Sequence, residues 1–159
     1  MKYLNTYKIF GNIFKSKLQI EQTANDESRD NQFFKTKEET KDWLDEVGID
    51  KYTINDDLTI DGDGDVIISD IGLKKIPVKF KSVGGDFNCS YNKLTNLEGC
   101  PYSVGGNFYC HSNQLTSLKG CPDSVGGNFY CHGNKLTSLK GSPESVGGYF
   151  DCGYNQLTS

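Results

Sequence analysis

From residue 62 onward, apolar and polar positions recur with a period of 21 residues. Val83, Val104, Val125 and Val146 form one column, Phe87, Phe108, Phe129 and Phe150 the next, and Cys89, Cys110, Cys131 and Cys152 a third. Asn92, Asn113, Asn134 and Asn155 follow, then Leu94, Leu115, Leu136 and Leu157, then Leu97, Leu118 and Leu139. Pro101, Pro122 and Pro143 come after them. Self-similarity at such a period is the mark of stacked supersecondary units. A fainter copy over 62–82 puts Val66 and Ile68 in the Phe and Cys columns and Leu73 and Ile76 in the two Leu columns, with Ile71 in place of the Asn. Keeping apolar positions while changing the polar one fits a terminal, capping repeat.

Within one unit, Gly106-Asn107-Phe108-Tyr109-Cys110-His111 alternates in residue class, and alternate side chains of a strand point to opposite faces. Phe108 and Cys110 are expected inside; Asn107, Tyr109 and His111 are expected outside. Asn113 ends the strand, where its amide can bond backbone groups of neighbouring turns. Leu115 and Leu118 return to the core, and Gly120 and Pro122 bend the chain back. A lone unit cannot bury its apolar face, so the units must stack. The expected fold is an α+β repeat solenoid over 62–159 with one parallel, in-register strand per coil.

The periodicity changes before residue 62. Thr36-Lys37-Glu38-Glu39 spells a capping box, Trp43, Leu44 and Val47 follow at helical spacing, and Gly48 stops the run. A helix is expected over 37–47. Tyr52-Thr53-Ile54 and Leu58-Thr59-Ile60 around Asn55-Asp56-Asp57 read as a hairpin, so 36–61 should cap the array. In 1–35, Tyr3, Leu4, Tyr7, Phe10 and Phe14 stand near helical spacing and are followed by a polar linker. A docking helix or frayed terminus accounts for that stretch; a targeting or partner-binding peptide is the sharper alternative. The last repeat stops within its Leu-x-x-Leu step, at Ser159, and is expected to be incomplete, through truncation or as an open edge for self-association.

Charge divides at the same boundary. The net charge of −4 lies wholly in residues 1–61, and residues 62–159 are neutral. An array without a basic stripe is not expected to bind nucleic acid, which relies on phosphate neutralisation. No apolar run is long enough to span a bilayer, so a membrane is not an expected partner either. The 18 glycines accompany 9 tyrosines and 9 phenylalanines, a composition that builds a core and is not a disorder signature.

The run Phe-x-Cys-x-x-Asn-x-Leu-x-x-Leu resembles the leucine-rich repeat, with Phe and Cys in its first two apolar slots. The short unit and its Pro resemble the bacterial subfamily of secreted effectors, with one extra residue in Val-Gly-Gly-x-Phe. Val-Gly-Gly-Asn-Phe-Tyr-Cys-x-x-Asn-x-Leu-Thr-Ser-Leu-Lys-Gly is similar to repeat proteins of tailed bacteriophages and prophages. The resemblance covers residues 62–159. It implies a solenoid in the cytoplasm of a bacterial host that binds or scaffolds other proteins.

Candidate chemistry is sparse. The Cys89 column and a second column of Cys100 and Cys121, continued by Ser142, suit reduced core thiols better than disulfides or metal, because in-register side chains orient poorly for a bridge. Reduced thiols fit a cytosolic setting. His111 and His132 point away from the neighbouring sulfurs; they read as surface residues, with a shared metal or a pH response across coils as the alternative. Asp61-Gly62-Asp63-Gly64-Asp65 lacks the Gly and acid that a calcium loop needs at its sixth and twelfth positions, and is read as turn chemistry. No nucleophile elbow or phosphate loop is present, and a unique catalytic constellation should interrupt the repetition. Neither an enzyme nor a metal or cofactor is therefore expected. The partner-binding candidates are the outward residues Asn107, Tyr109, His111, Asn128, Tyr130, His132, Tyr149 and Asp151, weighed against a merely solvated sheet face. The expected function is a protein–protein interaction module; the alternatives are a self-assembling structural protein and a host-directed effector.

Overall fold

A computed structural model describes residues 33–158. The amphipathic stretch expected near 2–14 and the polar stretch that follows it, as far as residue 32, lie outside the described residues.

Helix α1 (Lys37–Glu46) starts where the capping box predicts. The Thr36 hydroxyl accepts from the Glu39 backbone N–H, and the Glu39 carboxylate accepts from the Thr36 N–H, both at 3.1 Å. Gly48, at φ +81°, turns the chain away from the helix. Trp43 and Leu44 are buried on its inner face.

Strands β1 (Tyr52–Ile54) and β2 (Thr59–Gly62) form the expected antiparallel hairpin, with Ile54 opposite Ile60. From there every pairing is parallel. β3 (Val66–Ile67), β5 (Phe87–Asn88), β7 (Phe108–Tyr109), β9 (Phe129–Tyr130) and β11 (Phe150–Asp151) form a five-stranded sheet. β4 (Lys79–Val83), β6 (Ser103–Val104), β8 (Ser124–Val125) and β10 (Ser145–Val146) continue the hairpin into a six-stranded sheet. Each coil thus carries the expected Phe-x strand and also a second short strand at Ser-Val. Register is maintained throughout the array: Phe87 pairs with Phe108 and Phe108 with Phe129, while Val83 pairs with Val104 and Val104 with Val125. Only the β2–β4 junction slips, between Ile60 and Asp61, where the hairpin joins the array.

The Gly-Gly pair explains how two strands fit into so short a coil. A methyl group at Gly105 would lie 2.2 Å from the Gly84 carbonyl oxygen, and one at Gly126 would lie 2.2 Å from that of Gly105. Without Cβ atoms the backbones close to hydrogen-bonding distance, and Gly105 and Gly126 donate to Val83 and Val104 at 2.8 Å.

The interior consists of the predicted columns. Phe87, Phe108 and Phe129 are completely buried, with ring centroids 5.6 and 5.3 Å apart in a nearly parallel stack. In the degenerate first coil Val66 stands in that column, and the Phe80 edge packs against Phe87 at 5.3 Å. Val66, Ile68, Leu73 and Ile76 are buried. So are Val83, Val104, Val125, Cys89, Cys110, Cys131, Leu94, Leu115, Leu136, Leu97 and Leu118. The last-coil members differ because no further coil among the described residues lies on their outer side. Leu139, Phe150 and Leu157 are 37–39% exposed, and Val146, Cys152 and Asn155 are half-buried.

Candidate interaction face

The face outside β5, β7, β9 and β11 is built from three outward columns, and the stacking that buries the phenylalanines also orders these side chains. Tyr109 stacks on Tyr130 with centroids 5.0 Å apart and planes 7° from parallel. His111 stacks on His132 at 4.4 Å and 9°. The two columns meet edge to face, Tyr109 with His111 and Tyr130 with His132, both at 6.3 Å. In-register parallel strands impose this geometry, since identical side chains one coil apart share backbone and rotamer. Each such ring pair contributes about 0.5–1.5 kcal/mol beyond its burial.

Asn107 and Asn128 play a different part. The backbone N–H of each coil donates to the side-chain oxygen one coil earlier: Asn107 to Asp86 at 2.7 Å, Asn128 to Asn107 at 2.8 Å, Tyr149 to Asn128 at 2.7 Å. The ladder begins with Asp86 N–H donating to Asp65 at 2.8 Å. Asp65 is therefore part of the turn that stacks the first coils, in keeping with the turn reading of the Asp-Gly run. These side chains seam the Gly-Gly turns together, and their acceptor atoms face protein. Tyr149 ends the column and is 80% exposed.

Asp151 ends the Tyr column. Its Oδ2 lies 3.1 Å from His132 Nδ1, close enough for an ion pair once the ring is protonated, yet Nδ1 is buried without an aligned hydrogen bond. Burial, and then the His132 ring, lower the proton affinity of His111. Burial, followed by the Asp86 carboxylate, raises the Tyr109 phenol. The face is aromatic and polar with little charge.

Sequence reasoning passed over Tyr91, which presents its ring edge to His111 at 5.0 Å and 87° and is 61% exposed. Tyr91 belongs to the column Asp70, Tyr91, Ser112, Gly133, Tyr154, whose φ lies between +52° and +64° throughout. The signal was a position with neither apolar nor polar consistency, just after the strand. Positive φ there swings the side chain sideways over the face.

The cysteines form a separate, interior group. All six are free; Cys89, Cys100, Cys110 and Cys131 are buried, and Cys121 and Cys152 are half-buried. Burial first, then the neighbouring Cys89 thiol, pushes Cys100 well above the ordinary thiol range, so the two cysteine columns meet inside the coil. Burial raises Cys121 and Cys131 to about 12. Among the described residues, no group of three or more His, Cys, Asp or Glu side chains is arranged to hold a metal.

Comparison with models of known families, with curated proteins and with solved structures gives no match. Along the other sheet, a shallow groove follows the Ser82, Ser103, Ser124 and Ser145 column beside the Gly-Gly turns. A second cleft is lined by Phe33, Lys79, Cys100, Tyr102 and Asp123, and the Lys79 ammonium lies 4.7 Å over the Phe33 ring. No helix among the described residues is long and apolar enough to cross a membrane.

Proposed function

We propose that this chain is a non-enzymatic binding module of the leucine-rich-repeat type, of bacterial or tailed-phage character, that docks a protein partner on its Tyr/His strand face in the host cytoplasm. The supporting observation is the pre-stacking of Tyr109 on Tyr130 and of His111 on His132. Rings already held in one rotamer lose little freedom on binding, and aromatic anchors are enriched at binding hot spots. Tyr91 and Tyr149 extend the aromatic surface at either end, and the few charges favour a partner surface that is itself polar and uncharged.

The test is capture by the immobilised chain, compared with a Tyr109→Ala/Tyr130→Ala variant and with Ser103→Ala on the other sheet. Loss of the same partner in the first variant alone, with the fold retained, supports the reading. Equal capture by all three removes the face from consideration.

A further inference from the structure

We propose that His111 and His132 take up two protons in a fixed order, the first on His132 against Asp151 and the second on His111, and that the second parts the rings and frees Tyr91. As regulation of the docking face, this rests on the reading above; as a titration of the free protein, it does not.

β7 and β9 are in register, so the two imidazoles are held face to face at 4.4 Å and cannot separate without a rotamer change. Two cationic rings at that distance repel, and partial burial reduces the water that would screen them. The pair therefore binds its first proton far more readily than its second.

The order follows from what each ring faces. His132 has the Asp151 carboxylate of β11 at 3.1 Å from a buried Nδ1 that makes no hydrogen bond. A positive charge on this ring faces the Asp151 carboxylate at ion-pair distance, although the Nδ1–H is not aligned for a hydrogen bond. His111 has no carboxylate in that position. Its Nδ1 lies 3.3 Å from the Ser112 hydroxyl, the Tyr91 edge covers it from the turn after β5, and Tyr109 borders it on β7. Ser90, the preceding member of its column, is buried and donates to Asn88 at 2.6 Å. Tyr130 borders His132 on β9. Asp151 is thus the charged group these contacts bring to the pair, and it sits at the His132 end. The depressed proton affinity of His111, caused by burial and then by His132, agrees with this order.

The consequence is a face that tolerates mild acid and then changes shape. The first proton tightens β9 to β11. The second breaks the stack, and Tyr91 loses the ring it rests on.

The chain has two histidines, so imidazole proton–nitrogen correlation spectra of the ¹⁵N-labelled full chain contain two ring systems, each followed through its titration. The expected result is two separate steps, His132 first, with Tyr91 ring signals moving only in the second. His132→Gln should shift the His111 step to higher pH, and Asp151→Asn should bring the two steps together; amide spectra verify that each variant is folded. One superimposed titration for both rings, with His111 unmoved by His132→Gln, would overturn the proposal. Since no partner is in the sample, that failure leaves the docking reading standing. Conversely, unchanged capture by the Tyr109→Ala/Tyr130→Ala variant would sink docking and leave the proton order intact.

Discussion

The side-chain amide of Asn113 reaches back one coil to donate to the Cys89 carbonyl at 3.0 Å, while its oxygen accepts the Leu94 N–H at 3.0 Å. The same amide also donates to Cys110 in its own coil at 3.2 Å. One residue per coil thereby satisfies buried backbone groups that the sharp turn after the strand leaves without partners. Asn92, Asn134 and Asn155 repeat the arrangement.

Asn113→Ala should therefore cost about 3 kcal/mol, because several buried backbone groups lose their partners together. Asn155→Ala should cost about 1 kcal/mol, because its site is half-buried and water replaces the amide. Urea unfolding midpoints measure both. Equal losses at the two positions would mean that the ladder does not carry the stability assigned to it.

The Asn ladder, the Phe stack and the capping box were legible in the sequence because each uses a residue type whose chemistry admits few alternatives at that spacing. The second strand was not. Ser82-Val83 and its copies are too short to show alternation, and the evidence for their pairing is the Gly-Gly that follows, which reads equally as a turn. Alternation places Asn107 and Asn128 on the outer face but does not reveal the bond each accepts from the next coil. Tyr91 was hidden by its backbone: nothing in a tyrosine announces positive φ. The stacking of Tyr109 on Tyr130 followed from register once the period was known, whereas the approach of Asp151 to His132 depends on an ionisable residue found in that column only in the last coil.

The close approach at Gly-Gly gives a contrast within one column. A Cβ at Gly84 meets nothing nearer than 3.4 Å, whereas one at Gly126 falls 2.2 Å from a backbone carbonyl oxygen that cannot swing aside. Gly84→Ala should be neutral or stabilising by about 0.5 kcal/mol through the unfolded chain. Gly126→Ala should destabilise by about 3 kcal/mol, as overpacking against backbone does. Thermal melts of the two variants decide the matter, and a tolerated Gly126→Ala would contradict the coil spacing.

Thiol chemistry should follow burial. Alkylation needs the thiolate, and burial holds Cys100 and Cys110 well above the usual thiol range and Cys121 and Cys131 at about 12. At mildly alkaline pH, brief iodoacetamide treatment of the folded protein should modify Cys152 first and leave Cys100 and Cys110 untouched until denaturant is added. Mass spectrometry of the digested protein reads the order. Early labelling of Cys110 would show that the coils open far more readily than their packing implies.

Acid should loosen the N-terminal cap through Asp61. Its carboxylate accepts from Asn55 at 2.8 Å and from Ser82 at 2.5 Å, tying the hairpin turn to β4. Those two bonds hold its proton affinity below the ordinary carboxylate range. A carboxyl group that is more acidic in the folded state contributes stability above its unfolded value of about 3.9 and loses it as pH falls through the folded one. Trp43, the single tryptophan and buried in the cap, reports the event. Its fluorescence midpoint in urea should be level from pH 7 to about 5 and decline below about 4. Asp61→Asn should lower the midpoint at pH 7 and flatten the decline, because Asn carries no proton to gain. An Asp61→Asn profile that parallels the parent over the whole range would place the acid sensitivity elsewhere.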